Sequence, residues 1–273
     1  MKLIKSALWQ LTALCAGLIL VFPLIYAVFG AFKTPAEFGA WPPSLLPDSF
    51  GNLENFKAVF KQIPMLRYML NSLITSLITG TVKTLLSCLA AYGFAYYDFR
   101  GKKALFFLIL AAMMLPADTL ILTNYRTVTR LGLIDTYLGI CVVSFVGASQ
   151  LLLLRGELCR LPASLWDAAK MDGCGDLRYL AFILMPMERG ILLTLFLQAF
   201  VAQWNSYLWP LLVTTRMDMR TVQVGISMLT SAENTNYETV LAGSAAALVP
   251  SLILFFVSRK SFTGADASGA EVE

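Results

Sequence analysis

The sequence contains no histidine. That absence removes the commonest general base, the commonest metal ligand and the usual switch near neutral pH. Charge is scarce as well: Asp, Glu, Lys and Arg make up 14% of 273 residues, and the formal net charge is +4. The 21 lysines and arginines are scattered rather than gathered into a basic stripe, which excludes nucleic acid as a partner. No phosphate-binding loop is present; RGKKA, the nearest approach, lacks the required spacing and falls in a short turn between apolar runs. The five cysteines, Cys15, Cys88, Cys141, Cys159 and Cys174, are odd in number and share no metal-ligand spacing, so they read as structural. Neither solenoid-period repeats nor low-complexity tracts occur. Nothing in the chain makes a catalytic cluster, a metal site or a cofactor motif, and an integral membrane enzyme finds no support.

What is abundant is apolar side chain: 58% of residues, the balance of a membrane protein. Runs near the length of about 20 residues needed to cross a bilayer fall at 8–32, 69–96, 104–122, 137–154, 190–213 and 239–258. The predicted fold is therefore an all-α integral membrane protein of six transmembrane helices in a single domain over 1–273. The first run, of about 25 residues, exceeds the roughly 7 to 15 of a secretory signal core and reads as a retained span. Cytoplasmic loops keep Lys and Arg. Lys2, Lys5, the FRGKK turn, Arg155, Arg160, Lys170, Arg178, Arg189, Arg259 and Lys260 then vote for both termini in the cytoplasm. The first outer loop, 33–68, holds GAWPPSLLPDSFGNLENF, rich in breakers of regular structure. NYRTVTRLGLID, after the third span, mixes apolar and basic residues as a short interfacial helix does.

This orientation puts a polar, glycine-broken stretch, WDAAKMDGCGDLRYLAFILMP, in the largest cytoplasmic loop, 155–189. Pro162 is placed to open a helix, and Gly173 and Gly175 to end it about three turns later. At helical spacing Leu161, Leu165, Ala168, Ala169 and Asp172 fall on one face, apolar with small residues at its centre, which a partner can approach closely. Asp176 then opens a second helix where an acid is favoured, and the chain turns apolar toward Pro186.

The loop resembles that of the membrane subunits of binding-protein-dependent ATP-driven importers, patterned Glu-Ala-Ala, two residues, Asp-Gly-Ala, then about a dozen residues to a proline. Asp167, Ala168, Ala169, Asp172, Gly173 and Pro186 fill that pattern, with Asp167 for the glutamate, Cys174 for the last alanine and Gly190 where many members have a second proline. Through AYYDFRGKKALFFLILAAMMLPADTLIL, RLGLIDTYLGI and WNSYLWPLLVT the chain is similar to the carbohydrate-uptake branch, in particular to the second permease subunit of maltose-type and glycerol-3-phosphate-type systems. The resemblance implies a short coupling helix that docks in a cleft of an ATPase subunit. It also implies a bacterial inner-membrane location and the partners of such a system: a homologous second permease, two cytoplasmic ATPase subunits and an extracytoplasmic solute-binding protein. The solute would be a sugar or related polyol, glycerol-3-phosphate included; no cofactor is implied for this chain.

Polar groups inside the spans are the candidates for the solute path. Counted from Gly190 at about 1.5 Å per residue, Trp204 and Asn205 lie roughly 21 to 23 Å along a hydrocarbon core of about 30 Å. Gln198, Gln203, Trp204, Asn205 and Tyr207 combine amides suited to hydroxyls with an aromatic suited to a sugar ring, though they suit helix packing nearly as well. Tyr207 and Trp209 also fit an interfacial aromatic belt. Lys83 and Asp118 are the ionisable groups of the spans; Asp118 sits near a span end, and Lys83 lies deeper, in a packing or a path role. Too few for a proton relay, they argue against a self-sufficient secondary transporter. AGSAAAL, 242–248, is a small-residue face for close helix contact. The segment TTRMDMRTVQVGISMLTSAENTNYET is long for a connector and reads either as a solvated loop or, by the resemblance, as a contact for the binding protein.

Overall fold

Backbone hydrogen bonds have no water to turn to inside a bilayer, so a chain this apolar must satisfy them within helices. The computed structural model describes residues 2–230 and 236–267, with side chains described over 9–116, 119–230 and 236–256. The side chains of Asp118, Lys2, Lys5, Arg259 and Lys260, like residues 231–235, lie outside that set. Among the described residues the regular elements are helical, with no strand. They run α1 (Lys2–Gly30), α2 (Pro35–Gly39), α3 (Glu54–Gln62), α4 (Met65–Tyr96), α5 (Lys102–Ala112), α6 (Ile121–Arg130), α7 (Tyr137–Cys141) and α8 (Ala148–Leu158). There follow α9 (Ala163–Met171), α10 (Asp176–Tyr179), α11 (Met185–Met187), α12 (Arg189–Trp204), α13 (Leu208–Val213), α14 (Val222–Thr230) and α15 (Tyr237–Ala267).

Among the described residues three stretches are long and apolar enough to cross a membrane as single helices: Trp9–Gly30, Met65–Tyr96 and Tyr237–Phe256. Two more qualify as bent pairs, Tyr137–Ser144 with Ala148–Leu158 at 54°, and Asp176–Met187 with Arg189–Trp204 at 85°. The run at 104–122 is not one helix. α5 stops at Ala112, and the chain passes Pro116 before a 3-10 turn, Ala117–Leu120, leads into α6. Proline lacks the N–H that a continuing helix needs and disfavours helical backbone in the residue before it. α6 covers most of the amphipathic stretch expected as a short helix.

The chain divides into two compact units, residues 1–69 with 224–253, and residues 70–223 with 254–273. In the first, the end of α1 is held by side chains that replace missing helix partners: the buried Asn55 amide donates to the carbonyls of Ala31 and Lys33 at 2.8 Å each, and Asn52 donates to Phe32 at 3.1 Å. Phe50 meets Phe29 and Phe32 edge-on at 5.6 Å. Thr34 and Glu37 form a reciprocal cap on α2, and Glu37 also accepts from the Asp48 N–H at 2.6 Å. Those donors, Thr34 N–H first, hold the Glu37 carboxyl down at about 2. Along α1, by contrast, the most apolar window has none of its residues buried, as suits a helix facing lipid or another subunit.

In the second unit, the buried side of α4 is lined by small and hydroxyl side chains, Ser72, Thr75, Ser76, Thr79, Gly80, Thr84 and Ser87, which let neighbours approach. Phe196 of α12 lies where a Gly80 side chain would be, 2.9 Å from an added Cβ. Near the start of α4, Asn71 donates to the carbonyls of Asp218 and Arg220 at 2.8 and 2.9 Å and accepts from Tyr137 at 2.8 Å. Ser72 accepts from the Val222 N–H at 2.8 Å. Asp135, a non-glycine residue at positive φ, accepts from the N–H groups of Thr215 and Arg216 at 2.7 and 2.9 Å. These bonds tie the segment 215–222 to α4 and to the turn before α7.

Candidate functional site

The far end of α4 carries the loop that the sequence singles out. α9 starts directly after Pro162 and stops where Gly173 takes φ +72°. Its last carbonyls are closed by Cys174 N–H to Ala169 at 2.9 Å and Gly173 N–H to Lys170 at 3.0 Å, the paired bonds of a Schellman ending. Only glycine holds that left-handed backbone without strain.

Trp166 fixes the helix in place. Its ring meets Tyr179 at 4.6 Å, Tyr96 at 5.2 Å and Tyr92 at 6.0 Å, with the Lys170 ammonium 4.4 Å over its face. Aromatic pairs at these separations each add about 0.5–1.5 kcal/mol beyond area burial. Leu161, Leu165 and Ala169 complete the contact, in a core shared with Cys88, Ala91, Leu154, Leu158, Leu180 and Leu184. A second tether is polar: Tyr97 donates to the Asp176 carboxylate, and Tyr92 donates to the Asp176 carbonyl at 3.3 Å.

This packing divides the face expected from helical spacing. Leu161, Leu165 and Ala169 turn inward, because the chain's own aromatic cluster needs an apolar partner, and Ala169 is 7% exposed. Asp167, Ala168, Asp172 and Gly173 remain exposed, joined by Ser164 and by Met171 at 88% exposure. What α9 offers to a partner is a small flat patch, two carboxylates and one protruding thioether. Pro186 is exposed within α11, just before the 85° bend at Glu188. Between α10 and α11 the helix makes a π-turn, Leu180–Leu184, a one-residue insertion that turns Phe182 outward while Leu180 and Leu184 stay buried.

The span-five candidates separate in the same way. Trp204 is 1% exposed and stacks on Phe200 at 6.2 Å, so its ring is core; Gln203 is buried beside it. Gln198, Asn205 and Tyr207 are exposed, and Thr194, Gln198 and Asn205 follow one side of α12, with the Asn205 side-chain Oδ1 accepting from the Gln223 amide at 3.3 Å. Exposed amides on a membrane helix call for a wet path or a polar partner. Among the described residues no group of His, Cys, Asp and Glu has a metal-holding arrangement. The sequence reading assigned no part to Trp166, Tyr92, Tyr96, Tyr179 or Met171; the signal was there in a lone tryptophan among the small and charged residues of a short loop helix.

Comparison with known proteins agrees with this architecture. Residues 83–261 match the family described as binding-protein-dependent transport system inner membrane component. An arabinooligosaccharides transport system permease protein of Halalkalibacterium halodurans is 30% identical over 258 residues, covering 93% of this chain and 92% of its own. An sn-glycerol-3-phosphate transport system permease protein of Agrobacterium fabrum is 28% identical over 258 residues, covering 91% and 92%. The fold matches, with a TM-score of 0.80 at 23% identity and 96% coverage of both chains, a chain in the crystal structure of a bacterial ABC transporter involved in the import of the acidic polysaccharide alginate. A largely apolar chain of helices whose sequence matches along most of its length is thus a multi-pass membrane transport subunit, and it belongs to the binding-protein-dependent transport system inner membrane components.

Proposed function

We propose that the chain is one of two homologous permease subunits in an ATP-driven importer of a sugar or related polyol, working with two cytoplasmic ATPase subunits and an external solute-binding protein. The observation that carries this reading is α9, a rigidly seated helix whose exposed side is built for a protein partner rather than for lipid. Helices that rest on headgroups present basic residues around an apolar face. This one presents Asp167 and Asp172 around Ala168, with Met171 projecting, while its one exposed cation, Lys170, is drawn over the Trp166 ring. It acts as the coupling helix, and the solute class follows the permease relatives for arabinooligosaccharides and sn-glycerol-3-phosphate.

In this reading the chain crosses the membrane six times with both termini cytoplasmic, the third crossing interrupted ahead of α6 and the fifth bent at Glu188. Gln198, Asn205 and Tyr207 line the solute path. The test is ATP-dependent uptake in vesicles containing the assembled system. Ala168→Arg, which places a long cation on the exposed patch, abolishes vanadate-sensitive uptake while the protein stays folded in the membrane; undiminished uptake would sink the assignment of α9. Uptake that collapses with the proton gradient alone would overturn the ATP-driven reading.

A further inference from the structure

One lysine of the second unit lies inside a span with no counter-charge among the described residues. Lys83 stands near the middle of α4, 13 residues or about 20 Å from its end at Tyr96. Among the described residues its ammonium has neither an ion-pair nor a hydrogen-bond partner. The side chain is half-buried, and its neighbours along α4 are the hydroxyls Thr79 and Thr84, not acids. A cation at mid-depth is costly to place in a membrane, and such residues face the bundle interior or a watery path.

The surroundings are shaped around this cation. Gly147 breaks the bent pair α7–α8, and a Cβ there would fall 2.4 Å from Lys83 Cε and 3.3 Å from Nζ, so the missing side chain is the space the lysine occupies. A cavity of about 190 Å³ borders the same glycine. Its wall, which includes Leu86, Ser87, Phe94, Ile109, Val146 and Leu151, is apolar and does not include Lys83, so the room for the ammonium is that left by Gly147 alone. The fold thus keeps a lysine where a glutamine would be cheaper, clears room for it and leaves its charge unanswered.

We propose that Lys83 is the contact for a negatively charged group, a carboxylate or phosphate, on the transported solute, so that the chain passes an acidic sugar or phosphorylated polyol rather than a neutral one. This rests on the importer reading above and narrows its solute class. Gly147 is a positioning residue, since it acts by letting the ammonium lie where it does.

The test uses the complete importer in proteoliposomes, with its partner permease, ATPases and binding protein. The probes are a panel of labelled neutral sugars and glycerol set against uronates and sn-glycerol-3-phosphate. The expected result is ATP-dependent uptake of an acidic member, at least tenfold lower in Lys83→Gln through a raised KM, partly restored in Lys83→Arg, and reduced again in Gly147→Ala. Copurification of the four subunits reads folding separately. Uptake confined to neutral probes, or acidic uptake unchanged in Lys83→Gln, overturns the proposal. So does loss of the partner permease from Lys83→Gln, which assigns the lysine to a carboxylate of that subunit. Absence of ATP-dependent uptake across the whole panel fells the importer reading itself, and this one with it.

Discussion

Replacing Trp166 with alanine tests whether α9 is seated as described. The indole meets three tyrosine rings, at 4.6, 5.2 and 6.0 Å, and one ammonium at 4.4 Å. A fully buried Trp→Ala change costs about 3–5 kcal/mol. Trp166 is only half-buried, so the lower end applies, and the pairwise aromatic terms of about 0.5–1.5 kcal/mol each already account for most of it. A loss of about 3 kcal/mol, at 1.4 kcal/mol per tenfold, raises the undocked population of α9 about a hundredfold. Hydrogen exchange read by mass spectrometry on peptides covering 163–172 shows this as a comparable fall in protection, while peptides from α12 keep theirs. Trp166→Phe retains an edge-to-face pair with Tyr179 and loses about a tenth as much protection. An assembled importer that carries the alanine variant hydrolyses ATP through its ATPase subunits without matching uptake, as the proposed coupling role of α9 requires. Protection within about threefold of the parent, in a folded Trp166→Ala protein, would refute the argument that this ring seats the helix.

Other expectations follow from the geometry elsewhere. Gly139→Ala places a Cβ 2.0 Å from the Leu133 carbonyl oxygen, an overlap with backbone that no rotamer relieves, so the variant melts well below the parent in detergent; an unchanged Tm would contradict the packing of α7. Asn71→Ala removes three partly buried hydrogen bonds and leaves the Asp218 and Arg220 carbonyls without that donor, a cost of about 2–4 kcal/mol. Proteolysis within 215–222 then speeds up, and equal cleavage rates would count against the clamp. For Glu37 the folded pKa lies below the ordinary 4.5, at about 2, so its cap is at full strength above pH 4.5 and is lost as pH falls through 2. Slow exchange of the Asp48 amide therefore persists at pH 3.5 and disappears in Glu37→Gln; fast exchange in the parent at that pH would rule the cap out.

The sequence announced the helices of the site better than their facing. Pro162, Gly173 and Gly175 bracket α9 because proline at a start and glycine past an end are local backbone requirements. Which side of α9 points outward is a tertiary matter. Leu161, Leu165 and Ala169 found a partner in Tyr179, which lies beyond a glycine bend, and in Tyr92 and Tyr96, which come from α4 far earlier in the chain. Spacing on one helix carries no information about such a partner. Trp204 was deceptive for the same reason: its depth was readable by counting, but its stacking on Phe200 inside the unit was not. The interruption of the run at 104–122 had a plain local cause in Pro116, which hydropathy alone smooths over.

α4 runs from Met65 to Tyr96, 32 residues or about 48 Å, with no proline to act as a hinge. At one end it is gripped by Trp166 through Tyr92 and Tyr96; near the other, Asn71 and Ser72 grip the backbone at 218–222. A displacement delivered to α9 therefore has a pushrod to travel along. A single uninterrupted helix thus joins the seat of α9 to the 218–222 segment, with one cluster of side chains at each end as the joints between them.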